Sequence, residues 1–234
     1  MVLGQYPAQS ELQLISRAWI EAAVSRWQTY VAINGEIPPL AVSPVLGVDV
    51  AEFGKDKNVL CPRYGGWVPR FTPGWSGGDP DTSPIRAAKV YEDLDAWFAA
   101  VDATGVGAGV PARMERLGCN AEGIKVASSP TTEPADVESL GEFGMMRDQL
   151  WWAVRERLRL DPGAMLPPDD ELMEELAVPS YGIVSGKIRV TDKDTMRELL
   201  GRSPDKGDSL CLTFAPTDGG TLEVGTNPLQ GYRG

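Results

Sequence analysis

The 234-residue chain has the composition of an ordinary soluble globular protein, with 42% hydrophobic and 24% charged residues. No apolar run reaches the roughly 20 residues needed to span a bilayer, and no signal-peptide pattern opens the chain, so a cytoplasmic protein without a membrane partner is expected. The net charge of -11 argues against a general nucleic-acid coat, because phosphate binding depends on Lys and Arg.

Two features of the composition limit the kinds of catalysis and metal binding that are open to this chain. The sequence contains no histidine, which excludes Ser-His-Asp and Cys-His catalysis and the usual zinc ligands. Its three cysteines are scattered, which predicts neither a disulfide framework nor a zinc site. Any acid, base or metal chemistry must therefore rest on carboxylates.

The order of the chain suggests three parts. Residues 1–40 are a helical segment, with an apolar stripe between Gln13 and Tyr30 and a following NGEIPP connector. Residues 41–216 alternate strands with helices and form the predicted main domain. Residues 217–234 are rich in Gly, Thr and Pro and are predicted to be a flexible tail.

The stretch VLGVDVAEFGKDK, at residues 45–57, combines a buried strand with one acid, Asp49. Its β-branched and aliphatic residues suit a strand that is covered on both faces. A carboxylate there would lose its hydration and its pKa would rise, unless hydrogen-bond donors, a basic residue or a metal cation accompanied it. Glu52 and Asp56, in the turn that follows, are expected to be solvated turn acids.

The strand and helix patterns predict a mixed α/β sheet flanked by helices. Three strands, at 45–51, 58–64 and 66–71, are typical of an antiparallel meander, and parallel strands then alternate with helices. A short buried strand at 99–103 carries a second acid, Asp102. The further predicted elements are helices at 85–98, 110–117 and 144–160, a strand at 123–128, a short helix within 161–178, a hairpin around Ser185 and Gly186, a helix in TDKDTMRELLG, and a last helix that begins at Ser203 or Pro204. In the helix at 144–160 the tryptophans are assigned to the core and several arginines to the solvent.

The glycine-rich run GVGAG at residues 105–109 precedes a helix but lacks the complete dinucleotide-binding pattern. Gly54 and Lys55 form no Walker motif either, because Asp56 stands where the hydroxyl residue is needed. The sequence therefore predicts no ATP hydrolysis, and the run is interpreted as a turn that lets the helix approach Asp102.

Three acids, Asp49, Asp102 and Asp208, are the central candidates for a metal site. Like charges about 4 Å apart repel by roughly 4 kcal/mol at an effective dielectric constant of 20, so a divalent cation is the natural neutraliser. Carboxylates without histidine favour Mg²⁺ or Mn²⁺ over zinc. Asp205, three residues before Asp208, is either a further ligand or an acid that favours the helix dipole. Alternatively, Asp49 and Asp102 only cap turns, and Asp208 only favours the helix dipole.

Basic residues concentrate late in the chain, which on an acidic protein suggests a phosphate-binding track near the last helix. Solvated helix faces explain many of them, and the hairpin residues Lys187 and Arg189 are the first choice for DNA contact. The candidate DNA-binding residues are Lys187, Arg189, Lys193, Arg202 and Lys206.

From the first strand to Phe214 the chain resembles the C-terminal nuclease domain of the large terminase subunit of tailed bacteriophages, which has an RNase H-like fold. The resemblance rests on GVDVAEFGKDKNVL, VDATGVGAGV and KDTMRELLGRSPDKGDSL, which contain the acids in order. The opening VLGQYP and the helix after it look like the family's segment between an ATPase and a nuclease domain, so an ATPase domain is expected to be missing from this chain.

The resemblance implies a metal-dependent endonuclease that cuts concatemeric viral DNA at the start and end of genome packaging. Asp49, Asp102 and Asp208 would be the ligands of two Mg²⁺ or Mn²⁺ ions, and Asp205 is a rival or partner of Asp208 because some family members place this acid, or a histidine, three residues earlier. The implied partners are double-stranded viral DNA and, in a full-length protein, the portal and the small terminase subunit, in the cytoplasm of the infected bacterium.

Two alternatives stay open. The chain could be another RNase H-like nuclease, such as a resolvase or transposase core. It could also be a catalytically silent module that docks DNA or the portal, an idea that the acidic net charge supports.

Overall fold

A computed structural model of the chain describes residues 12–39, 41–51, 57–76, 82–132 and 141–217. The predicted tail beyond residue 217, the opening VLGQYP and the turn acids Glu52 and Asp56 lie outside these ranges. The helices are α1 Arg17–Asn34, α2 Thr82–Asp93, α3 Val110–Arg116, α4 Met146–Leu160, α5 Asp170–Ala177, α6 Lys193–Leu200 and α7 Asp205–Leu212. The strands are β1 Leu12–Gln13, β2 Val45–Asp49, β3 Val59–Arg63, β4 Phe98–Asp102, β5 Ala121–Ile124, β6 Glu142–Phe143, β7 Ser180–Val184 and β8 Lys187–Val190.

The strands of the described residues form two mixed sheets, in the orders β3-β2-β4-β5 and β1-β7-β8-β6. In the first sheet β2 runs antiparallel to β3 and parallel to β4, which is itself parallel to β5. The predicted mixed α/β, RNase H-like class is therefore confirmed. The sequence did not indicate that the late hairpin, β7 and β8, belongs to a sheet of its own.

The prediction of a third meander strand is wrong. Residues 66–71 form no strand, and Trp67 makes only isolated bridges to Tyr64 and Met165. The Val68 amide donates to the Met165 carbonyl at 3.0 Å, so this segment pairs with the chain that follows α4 and turns away from β3. Pro69 has no amide to donate and would interrupt a ladder in any case.

The first sheet is covered on both faces, as its apolar strands require. Leu46 and Val48 of β2 pack with α2 and α3 in one hydrophobic cluster. Val45, on the opposite face, belongs to a larger cluster with α1, α4, α5 and α7. Because side chains alternate along a strand, Gly47 and Asp49 share the face of Val45 and point towards α7.

Helix α7 lies directly on β2 at Gly47. A β-carbon added at Gly47 would come within 2.0 Å of the Ser209 carbonyl oxygen, a backbone atom that cannot swing aside. At the other end of the helix, the buried guanidinium of Arg63 donates to the Thr213 carbonyl at 2.6 Å and to its hydroxyl at 2.7 Å. A positive charge at this end also matches the helix dipole.

Helix α1 packs into the same core, although the sequence suggested a linker. Ile20, Ala23 and Trp27 are buried, and the Trp27 indole donates to the Val68 carbonyl at 2.9 Å. The helix contacts α4 and α5. The domain limits at residues 40 and 216 remain a prediction.

Helix α4 contacts helices α1 and α7 and strands β6 and β8. Trp151 and Trp152 are core residues, as predicted. The expectation that its arginines face the solvent is wrong for Arg147, which is buried and donates to the Thr191 carbonyl at 2.6 Å. Beside it, Asp148 accepts from the Met145 and Val190 amides at 3.0 and 2.9 Å, so the first turn of α4 fixes the end of β8.

No helix among the described residues is both long and apolar enough to cross a membrane.

Helix α6 begins with an aspartate cap. The Asp192 carboxylate accepts from the Thr195 amide at 2.9 Å and from the Thr195 hydroxyl at 2.8 Å. These hydrogen bonds, the backbone one first, lower the pKa of Asp192. The cap places Lys193 at the first position of the helix.

Gly47→Ala is expected to destabilise the protein by about 1–3 kcal/mol or more, because the new methyl group would push α7 away from β2. Urea unfolding followed by circular dichroism measures the change. The matched control is Gly182→Ala in strand β7, where an added β-carbon meets nothing within 4 Å. Equal stability of the two variants would contradict the close contact.

Asp192→Ala is expected to lower the free energy of unfolding at pH 7 by about 1 kcal/mol, since it removes a helix cap. The pKa of Asp192 is lower in the folded state than in the unfolded chain, so the stabilisation is complete above about pH 4 and is lost as pH falls through the folded-state pKa. Unfolding curves of both proteins at several pH values test this, and a difference that grew towards low pH would refute it.

Candidate metal centre

Asp49 and Asp102 lie side by side at the carboxyl ends of two parallel strands. Val48 is paired with Val101, so the residue that ends β2 stands next to the residue that ends β4. Asp49 is buried, with 3% of its surface exposed, whereas Asp102 is half-buried. Asp102 also accepts from the Thr104 amide at 2.9 Å, which fixes the turn that leaves the strand.

Helix α7 adds a third acid to this pair. Asp208 lies in its first turns, next to Ser209, whose carbonyl faces Gly47. The Trp151 indole of α4 donates to the Asp208 carboxylate at 3.3 Å. The contact between α7 and β2 therefore brings Asp208 to the same face of the sheet as Asp49.

Lys193 supplies the counter-charge of these acids. Its ammonium nitrogen lies 2.9 Å from Asp208 Oδ2 and 3.9 Å from Asp49 Oδ2. Burial by itself would lower the pKa of Lys193, but Asp208 and Asp49 outweigh it and raise the pKa. The sequence suggested Lys193 for DNA contact, whereas the structure places it against the acids.

The pKa values of Asp49 and Asp208 are shifted in opposite directions. Burial raises the pKa of Asp49 well above its usual range, and Asp208, Asp205 and Asp102 raise it further while Lys193 opposes them. Burial also acts to raise the pKa of Asp208, but Lys193, Arg147 and the Trp151 hydrogen bond lower it overall. Of these two carboxyl groups, Asp49 is therefore the one whose burial is less well compensated by neighbouring positive charge.

Asp205 has a different contact from Asp208. Its carboxylate accepts from the Lys57 amide at 3.1 Å, just before strand β3. Ala51 lies on the other side of residues 52–56, and its amide donates to the Asn58 side chain at 3.3 Å. The same Asn58 oxygen accepts from the Ser83 hydroxyl at 3.0 Å. Asp205 and Asn58 therefore fix the two ends of the β2–β3 connection.

The donor set suits a hard divalent cation, because it consists of carboxylate oxygens. Within the described ranges, however, no three acidic or thiol side chains are close enough together to hold an ion as they stand. The ammonium of Lys193 contacts two of the acids, and Asp102 and Asp205 bind backbone amides. A cation at this place would have to displace Lys193 from the acids.

The other predicted DNA-binding residues lie at two separate places. Lys187 is exposed at the tip of the β7–β8 hairpin, while Arg189 forms an ion pair with buried Asp148 at 3.3 Å. Arg202 pairs with Glu174 at 2.9 Å and Lys206 with Asp169 at 2.7 Å, so carboxylates already bind both cations. Their role in DNA binding remains a prediction.

Sequence reasoning missed several residues that position the acids. Trp151 donates to Asp208, the charge of Arg147 lowers the pKa of Asp208, and Asn58 binds the Ala51 amide two residues after Asp49. In the sequence these side chains looked like ordinary core, surface and turn residues. A fourth residue, Glu175 of α5, was also missed, although the sequence contained a signal for it. Glu175 lies on the apolar side of the helix between Leu172 and Leu176, and all three are buried. A charged residue on a buried stripe indicates a specific partner.

No protein-family model matches the sequence, and a search of curated proteins gave no match. Among solved structures, the nuclease domain of the large terminase subunit gp2 of bacterial virus Sf6 is similar, with a TM-score of 0.70 and 24% sequence identity over 88% of this chain and 100% of that one. A point mutant of that domain, solved with manganese and beta-thujaplicinol or with calcium, has a TM-score of 0.70, 23% identity and the same coverage. The chain therefore has the fold of the nuclease domain of a large terminase subunit.

Proposed function

We propose that this chain is a metal-dependent endonuclease that cuts concatemeric double-stranded DNA during phage genome packaging. The observation that carries the proposal is the convergence of Asp49, Asp102 and Asp208 from two adjacent strands and one helix. The similarity to a terminase nuclease domain solved with manganese and with calcium supports it. In a full-length protein, the portal and the small terminase subunit would be the further partners.

In the proposed reaction Asp49, Asp102 and Asp208 would hold two divalent cations, and Asp205 would be a rival or partner of Asp208 as a ligand. When bound, the cations would activate a water molecule and stabilise the leaving 3′ oxygen of the scissile phosphodiester. The chain contributes position: the strand ends fix Asp49 and Asp102, and Trp151 orients Asp208. Asp208 is the better third ligand than Asp205, because it shares the Lys193 ammonium with Asp49.

A catalytically silent docking module is the second candidate. The ion pairs of Lys193 favour it, because a protein cation already neutralises part of the acid cluster. The two functions differ in their response to metal. A silent module should be neither stabilised by Mn²⁺ nor able to nick DNA, whereas a resolvase-like nuclease should cut but prefer junctions to plain duplex.

Asp49→Ala is expected to abolish Mn²⁺-dependent cleavage of plasmid DNA and to weaken Mn²⁺ binding by about 100-fold or more, because the most buried ligand is lost. Gel assays of cleavage and calorimetric Mn²⁺ titrations measure the two effects. The fold should survive, since Lys193 keeps Asp208 as a partner at 2.9 Å.

Asp93→Ala is the matched control for that experiment. Asp93 ends α2, pairs with Lys89 on the surface and is remote from the strand ends that carry the acids. It should cleave and bind Mn²⁺ like the wild type. Full cleavage by Asp49→Ala would refute the site, and a wild type that Mn²⁺ does not stabilise would favour the silent module.

Lys187→Gln is expected to weaken binding of duplex DNA and to reduce the slope of log affinity against log salt by about one, as for the loss of one phosphate contact. Arg189 is less suitable for substitution, because replacing it would also remove the ion-pair partner of buried Asp148. Lys89→Gln, on the solvent-exposed side of helix α2, is the control of equal charge change. Identical salt slopes for the two variants would remove Lys187 from the DNA interface.

A further inference from the structure

The amino end of α7 has no cap of its own. Pro204 occupies the cap position and makes no side-chain hydrogen bond. The neighbouring Ser203 hydroxyl is buried and has no hydrogen-bond partner among the described residues. The first amides of a helix need acceptors from outside the helix, so α7 depends on another element.

Glu175 of α5 supplies this acceptor. Its carboxylate is almost completely buried, with 1% of the residue exposed, and Oε2 accepts from the Gly207 amide at 2.7 Å. The other oxygen forms an ion pair with Arg202, which also pairs with Glu174 at 2.9 Å. Glu175 is therefore a helix cap delivered from a neighbouring helix, with its negative charge at the positive end of the α7 dipole.

Gly207 joins this cap to the acid cluster. A β-carbon at Gly207 would come within 2.9 Å of the Trp151 ring and 3.5 Å of Glu175 Cβ. Trp151 also donates to the Asp208 carboxylate at 3.3 Å. The residue immediately before Asp208 is thus enclosed by Glu175 and Trp151.

A contribution to stability alone does not explain a buried acid here. Burial acts to raise the pKa of Glu175, and the Gly207 amide and Arg202 act to lower it, so the burial of the ionised carboxylate by itself opposes folding. Buried ion pairs are often matched or exceeded in stability by apolar residues of similar size. What Glu175 does that an apolar residue cannot do is hold the Gly207 amide.

We propose that Glu175 is a positioning residue of the candidate metal centre, which fixes the first turn of α7 through the Gly207 amide and so holds Asp208 beside Asp49. The role rests on the proposed metal-dependent function. In this role Glu175 acts through the backbone of α7 and is not itself a metal ligand.

Three variants test the proposal. Glu175→Leu keeps the volume and removes the acceptor, whereas Glu175→Gln removes the charge and keeps an oxygen for the Gly207 amide. The control is Glu174→Gln, on the adjacent and exposed position of α5, which shares the partner Arg202 with Glu175. For each variant, Mn²⁺ binding, cleavage rate against Mn²⁺ concentration, and hydrogen exchange of the Gly207 amide are measured.

Glu175→Leu is expected to raise the Mn²⁺ concentration for half-maximal cleavage by about 10–100-fold. This is the effect usually seen when a residue that hydrogen-bonds a metal ligand is lost. Saturating Mn²⁺ should restore the rate, whereas partial unfolding would lower the maximal rate without moving the midpoint. The Gly207 amide should exchange faster in this variant. Glu175→Gln should stay within about threefold of the wild type, and Glu174→Gln should be unchanged.

Two results would overturn the positioning role: a folded Glu175→Leu variant with the wild-type Mn²⁺ midpoint, or a Glu175→Gln variant as impaired as Glu175→Leu. If Glu175→Leu does not fold, Gly207→Ala displaces the same amide through its contact with Trp151, and an unchanged Mn²⁺ midpoint there also refutes the proposal. A wild type that neither binds Mn²⁺ nor cuts DNA contradicts the proposed function instead.

Discussion

The contact between α7 and β2 at Gly47 is the constraint on which the acid cluster depends. With no side chain at this position, the Ser209 carbonyl lies where a β-carbon would stand. Any larger residue would lift the helix from the sheet, and Asp208 would move with it, away from Asp49. A contact of this kind tolerates little adjustment, because the atoms that meet belong to two backbones and not to side chains that could rotate.

The cluster that results is electrostatically unfavourable by itself. Asp49 loses its hydration inside the protein and lies near three further acids. The compensation comes from Lys193, whose position is fixed from several directions: the Asp192 cap orders its helix, and Arg147 and Asp148 of α4 bind the chain just before it. Helix α4 thereby positions both sides of the Asp208–Lys193 pair, because Trp151 holds the acid.

The sequence predicted the mixed α/β class and the positions of Asp49 and Asp102 on buried strands, because strand patterns are local signals. It could not predict that residues 66–71 leave the meander, since their partner, Met165, is about a hundred positions away. Lys193 looked like a surface cation, because its charge alone does not reveal that the fold places it against Asp49 and Asp208. Arg147 and Glu175 were missed for a related reason: their partners are backbone groups that tertiary packing brings close.

Two side chains hold the residues at the ends of the β2–β3 connection. Asn58 accepts from the Ala51 amide, and Asp205 of α7 accepts from the Lys57 amide. Helix α7 is therefore tied to the start of β3 through Asp205 as well as to β2 through Gly47. A substitution that removed the Asp205 carboxylate would loosen the acid-bearing helix and the edge of the first sheet together.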